Sequence, residues 1–142
     1  MTKVDELMAI QKVEIQSALE YLIYSWKKVQ KLSSKAQELD PETLETWESF
    51  AARFARVSDI FLAKYLRSRI LSADPGFRGE LRDFVDQGEK ANVLSDADKW
   101  MEIRELRNKI AHEYTKNDLS KLFIDILRYT PFLIDDVKKA LA

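Results

Sequence analysis

Apolar side chains recur three and four residues apart along most of this chain, the spacing of amphipathic helices. From residue 4 to 32 the pattern runs through Leu7, Met8, Ile15, Leu19, Leu22, Trp26 and Val29, and the polar stretch KLSSKAQELD ends it. A second start follows in DPETLE. There Asp40 is placed to cap the first amides, and Pro41 suits the first helical position. Leu44, Trp47, Phe54, Val57, Phe61 and Tyr65 then share one face to about Leu71, where SADPG stops the helix. A shorter helix is predicted over Phe77 to Val85. Ser95 to Asp98, SDAD, has the spacing of a capping box and predicts a helix from Asp96 to Tyr114. After the polar break TKND, Leu119, Leu122, Phe123 and Ile126 mark a last helix. Pro131 should kink or split it, because proline removes one ladder bond and clashes with the preceding turn. No alternating strand pattern of useful length occurs. The expectation is an all-α chain: an antiparallel bundle of four to five helices, forming one domain over residues 1–142.

Composition narrows the chemistry. The chain has 46% apolar and 33% charged residues, with 23 Lys+Arg against 24 Asp+Glu, so there is no global basic field. Nucleic acid would have to be met by a local patch. There is no cysteine and one histidine, which rules out disulfides, thiolate metal sites and a zinc site of ordinary composition within one chain. Neither glycine-rich phosphate loop is present. The acids of DPETLE and SDAD read as helix starts rather than metal ligands, so no metal and no cofactor are expected. No stretch has the length and apolarity of a signal segment or a membrane span, and a cytoplasmic protein without membrane contact is expected. Trp26, Trp47 and Trp100 read as core.

The single histidine lies in LRNKIAHEY, Leu106 to Tyr114. A helix advances about 100° per residue. Ile103, Leu106 and Ile110 mark the core face. Asn108 and His112 stand about 200° from it and four residues apart, on one outward strip shared with Arg104. Arg107 sits to one side, and Tyr114 lies two turns beyond it. His112 therefore faces either solvent or a second molecule. An arginine grips phosphate oxygens in a fork, and an imidazole moves protons near neutral pH. One histidine cannot be both acid and base in a turnover unless another group or subunit takes the second part.

RNKIAHEY also resembles the R-x4-H-x-Y motif of the HEPN domains encoded beside minimal nucleotidyltransferases, the HepT-like toxins and the related nucleotidyltransferase substrate-binding proteins. Arg107, His112 and Tyr114 match the motif, with polar Asn108 directly after the arginine. WESFAARFARVSDIFLAKYLR and FVDQGEKANVLSDADKWMEIRELRN resemble the family's second long helix and its approach to the motif. The resemblance spans about residues 10 to 135 and is sharp at the eight-residue motif. It implies a homodimer whose motif helices meet and a metal-independent endoribonuclease with Arg107, His112 and Asn108 catalytic. It also implies a toxin neutralised when a cognate nucleotidyltransferase antitoxin transfers AMP to Tyr114. Arg104, Lys109, Arg53 and Arg56, with Lys64 and Arg67, are candidates for contacts to the RNA substrate, although most lysines and arginines on such helices are simply solvated. The alternative implied by the same family is a non-catalytic substrate-binding or regulatory partner of a nucleotidyltransferase. A plain helical bundle with an exposed histidine is the third reading.

Overall fold

In a computed structural model that describes residues 2–112 and 114–142, helix α1 runs Lys3–Val29. It starts at a reciprocal cap. The Asp5 amide donates to Thr2 Oγ1 (3.1 Å), and the Thr2 amide donates to Asp5 Oδ2 (3.2 Å). A 3-10 turn, Ala36–Glu38, leads to α2, Pro41–Asp59. Asp40 caps α2 as its spacing predicts, accepting from the Thr43 amide at 2.8 Å. The helical path then continues through a π-helical stretch, Ile60–Tyr65, into α3, Leu66–Ala73. The uniform α-helix read from the sequence thus contains an interruption. Its cause lies in the buried residues, which repeat every four positions: Phe54, Ser58, Leu62, Leu66 and Ile70, with Val57, Phe61 and Tyr65 between them. A strict four-residue repeat drifts around a 3.6-residue helix, and a wider π turn takes out part of the drift.

Helix α4 is Leu81–Lys90, not Phe77–Val85. Its start is set by the Glu80 amide donating to Asp83 Oδ2 (2.8 Å) and by Gly79 at φ +156°, where a Cβ would lie 2.6 Å from that of Asp83. Helix α5 is Ala97–Ile110. Its cap is Asp96, which accepts from the Lys99 amide, and not Ser95. The Ser95 amide is already committed to Asp136 Oδ2 (3.0 Å). The helix also stops four residues short of Tyr114. Thr115 caps α6, Lys116–Leu141, from an extended backbone (ψ 164°) that no continuous helix could adopt.

Side-chain bonds give the helix directions. Tyr21 and Ser25 meet Arg53, and Asp5 meets Ser72, so α1 runs antiparallel to α2–α3. Glu102 meets Tyr129, and Trp100 meets Asp136, so α5 runs antiparallel to α6. Trp47 stacks on Phe123 and Tyr65 reaches the Ala140 carbonyl, so α2 and α6 run parallel. The result is an all-α, up-and-down bundle of α1, α2–α3, α5 and α6, with α4 packed against α3 and α5. One core joins all of them, around Trp47, Phe50, Phe54, Phe61, Trp100 and Phe123. Trp47 and Trp100 are fully buried, and Trp26 packs at the core's edge. No strand forms among the described residues, and no helix is long and apolar enough to cross a membrane.

Helix α6 passes through Pro131 without splitting. The ring is on the exposed side, while Ile126, Thr130, Leu133, Ile134 and Val137 on both sides of it are buried. Core packing holds the helix across the missing bond. Pro131→Ala restores a donor at an exposed site, and it is expected to raise unfolding free energy by roughly 1–3 kcal/mol in urea titrations. A destabilised variant would mean that the proline is favourable where it stands.

Candidate anion-binding groove at Arg107

Arg107 leaves the last turn of α5 and meets Asp59, the final residue of α2 before the π-helical stretch. Its Nε donates to Asp59 Oδ1 at 2.6 Å, and its Nη2 donates to Oδ2 at 2.8 Å. This bidentate pair fixes the plane of the guanidinium. Arg104, one turn earlier, approaches the same Oδ1 at 3.6 Å. The hydrogen bonds to Asp59, and next its charge, hold the Arg107 proton more firmly than usual, against a small opposing effect of burial. The pair uses the Nε–Nη2 edge of the guanidinium. Among the described residues Nη1 donates to no protein group, and Nη2 has a second N–H on that same side, the Nη1–Nη2 edge. That edge remains for a second, bidentate anion.

Arg107 and Asp59 border an open groove of about 510 Å³ between α2 and the end of α5. Arg56, Ile60, Lys64 and Ala111 are among the other residues that line it. Three cations face one carboxylate there, and Arg104 adds a fourth cation beside it, so the groove attracts anions once Asp59 is satisfied. No group of three or more His, Asp or Glu able to hold a metal occurs among the described residues.

His112 lies two residues beyond α5 and is exposed, with its amide donating to the Lys109 carbonyl (3.1 Å). It directly follows Ala111, the last residue that lines the groove, and is not itself among the lining residues. Because α5 ends at Ile110, His112 does not stack above Asn108 on a helical strip. Instead its ring meets the half-buried Tyr114 edge-on, with centroids 6.4 Å apart. Asn108 is exposed. Glu113, inside the motif, lies outside the described residues.

The cations proposed from sequence divide. Arg56, Lys64 and Arg104 gather around Arg107. Arg53 does not: its Nη1 donates to the Tyr21 carbonyl (3.1 Å) and Ser25 Oγ (2.7 Å), tying α2 to α1. Arg67 lies over the Phe84 ring at 4.5 Å. Lys109 lines a separate cleft with Glu102, Asp125, Arg128 and Tyr129. Helical periodicity alone did not find Asp59. A signal for it exists, because it is the only acid between Glu48 and Asp74, in a segment carrying Arg53, Arg56, Lys64, Arg67 and Arg69. An isolated acid among cations is a natural partner for an arginine on the next helix. No family model, no curated protein and no solved structure matches this chain.

Proposed function

We propose that this chain is a metal-independent endoribonuclease of the HEPN type, acting in the cytoplasm as the toxin of a pair with a minimal nucleotidyltransferase. The observation that carries the reading is the Arg107–Asp59 pair. It presents a fixed guanidinium with one bidentate edge left over, in the lining of a cationic groove, five residues before the only histidine. In the proposed reaction a neutral His112 removes the proton of a ribose 2′-hydroxyl. The 2′-oxygen attacks the adjacent phosphorus, and the bond to the 5′-oxygen breaks. A protonated His112 of a second copy gives its proton to that leaving oxygen. A 2′,3′-cyclic phosphate and a 5′-hydroxyl result. Arg107 holds the non-bridging oxygens as their charge develops. Asp59 is a positioning residue, and Asn108 orients the histidine or the substrate.

The same reading gives Tyr114 a regulatory part. Its hydroxyl attacks the α-phosphorus of ATP in the partner's active site, losing its proton, and pyrophosphate leaves. The adenylyl group would then put an anion and a purine against the His112 ring, which would repel RNA and screen the base.

The test is cleavage of a mixed RNA pool by the purified protein in EDTA. The expected products carry 2′,3′-cyclic phosphate ends. If a preparation shown by mass to carry unmodified Tyr114 leaves the RNA intact, the general nuclease reading fails. The non-catalytic partner of a nucleotidyltransferase then leads, with Arg107 binding nucleotide phosphate without turnover.

A further inference from the structure

The aromatic end of α1 differs from the rest of its outer face. Tyr21 is 55% exposed and Tyr24 65%, and they stand three residues apart, so the two rings are neighbours on the helix surface. Tyr21 is held in place. The Arg53 guanidinium lies over its ring, 5.5 Å from the centroid, and Arg53 is itself anchored by its bonds to the Tyr21 carbonyl and Ser25 Oγ. The arginine that stays away from the Arg107 groove thus has another use. It backs one face of a tyrosine and leaves the other face open. Toward the N-terminus the same outer face changes character, carrying Ile10 and Val13 with Glu6 and Glu14 beside them.

The clefts along the aromatic end lead into the Arg107 groove. Tyr21 lines a cleft of about 420 Å³ with Arg56 and Ile60, and those two residues also line the Arg107 groove. Beyond it, Tyr24, Lys28 and Arg53 line a polar cleft of about 250 Å³ together with Thr46 and Ser49. Cations prevail along this path. The three clefts are lined by Lys28, Arg53, Arg56, Lys64 and Arg107 against Glu14, Glu45 and Asp59, five cations to three acids in a chain whose net charge is −1. One of those acids, Asp59, is already paired with Arg107. From Lys64 back to Ser49 the helical path covers about 22 Å, the length of about six stacked nucleotides.

We infer that this path is a track for single-stranded RNA, with Tyr21 and Tyr24 as stacking platforms for two bases and Lys28, Arg56 and Lys64 along the phosphates. Every base has a flat face that can lie on a ring, so the track tolerates any sequence. It does not tolerate pairing. In a duplex both faces of a base are covered by its neighbours, and only an unpaired base can be splayed onto a side chain. The track therefore selects unpaired segments and leads them toward Arg107. Tyr21, already fixed by Arg53, loses little freedom when a base lands on it. The arrival of the scissile phosphate at Arg107 rests on the nuclease reading, whereas the stacking of RNA on the two rings stands apart from it.

Fluorescence anisotropy with a labelled, unstructured RNA of about ten nucleotides, longer than the track, tests this. The parent protein carries His112→Ala, so the probe survives whether or not the chain is a nuclease. The single strand is expected to bind about ten-fold or more tightly than the same sequence in a duplex. Tyr21→Ala and Tyr24→Ala should each weaken binding about 5-fold or more without changing its salt dependence, and Tyr24→Phe should bind as the parent does. Arg56→Gln should weaken binding as well, and should lower the slope of log affinity against log salt by about 0.7. Tyr21, Tyr24 and Arg56 are exposed, so the variants should keep their helical circular dichroism. Equal affinity for strand and duplex overturns the inference, as does the absence of binding or undiminished binding in both alanine variants. A loss in Tyr24→Phe as large as that in Tyr24→Ala overturns the stacking role. A parent chain that sediments as a dimer and dissociates on Tyr24→Ala also overturns the inference and assigns the rings to a second copy. Cleavage by chains with native His112 separates the track from the chemistry. Tyrosine-dependent binding without cleavage leaves the track and removes the nuclease, and full cleavage by both alanine variants removes the track and leaves the nuclease.

Discussion

RNA cleavage in EDTA is expected to fall about 10²–10⁴-fold in His112→Ala, the range that one positioned proton-transfer group contributes. Arg107→Ala should lose roughly 10²–10³-fold, as removal of a donor that stabilises developing negative charge does. Arg107→Lys should recover little of that loss. An ammonium cannot hold both Asp59 oxygens and still present a flat second edge to phosphate. Asp59→Asn keeps one acceptor oxygen of two, so the guanidinium is held by one bond and swings. Its expected loss is smaller, on the order of 10-fold, and falls on kcat more than on KM, because ground-state attraction for phosphate survives when an acid is removed beside a cation. Ground-state binding thus separates two parts that Asp59 could play. A partner that merely masks Arg107 would give tighter RNA binding and faster cleavage in Asp59→Asn. Full cleavage by His112→Ala would remove the nuclease assignment altogether.

The ease of reading each feature depended on how local its cause was. Asp40 and Pro41 start α2 through contacts within three residues, and the sequence shows them directly. The start of α5 was misread by one residue because its determinants lie elsewhere. Asp136, forty-one positions away, takes the Ser95 amide, and Glu89 takes the Ala97 amide at 2.7 Å, leaving Asp96 to cap. The four-residue repeat of buried side chains around Ile60 was visible, but simple periodicity counts it as helix and passes over the π-helical stretch. Arg107 and His112 stood out as chemical residues. Asp59 did not, because pairing across helices depends on their relative register, and a helical wheel contains no such information. The tie of Arg53 to α1, apart from the Arg107 groove, escapes the sequence for the same reason: the carbonyl and hydroxyl it binds lie about thirty residues away. Pro131 marked a break that never forms, because burial on both sides outweighs one missing bond.

Unfolding free energy is expected to fall by about 2–4 kcal/mol in Asp136→Ala, a large loss for a single polar substitution. Asp136 is 3% exposed, in the penultimate turns of α6. Its Oδ2 accepts from Trp100 Nε1 at 2.6 Å and from the Ser95 amide at 3.0 Å. One carboxylate oxygen therefore ties α6 both to the loop before α5 and to the side chain at the centre of the core. Alanine strands the buried Trp100 donor, at about 1–3 kcal/mol, and removes the bond from the amide of exposed Ser95, worth about 1 kcal/mol. Asparagine keeps an acceptor in place and loses only the contribution of the charge, so Asp136→Asn should forfeit about half as much. Urea midpoints measured with tryptophan fluorescence would report both, and equal losses in the two variants would show that charge, rather than satisfied hydrogen bonding, carries the effect. Trp100 stacks on Phe61 at 4.6 Å, inside the π-helical stretch that starts at the residue after Asp59. Loosening α5 at Trp100 therefore alters the seat of Arg107 from both sides at once. Asp136→Ala should lower groove activity well below full unfolding, so its activity should decline at urea concentrations where far-ultraviolet dichroism is still native. Coincident loss of activity and dichroism would show that the α5 register survives without this carboxylate until the whole bundle unfolds.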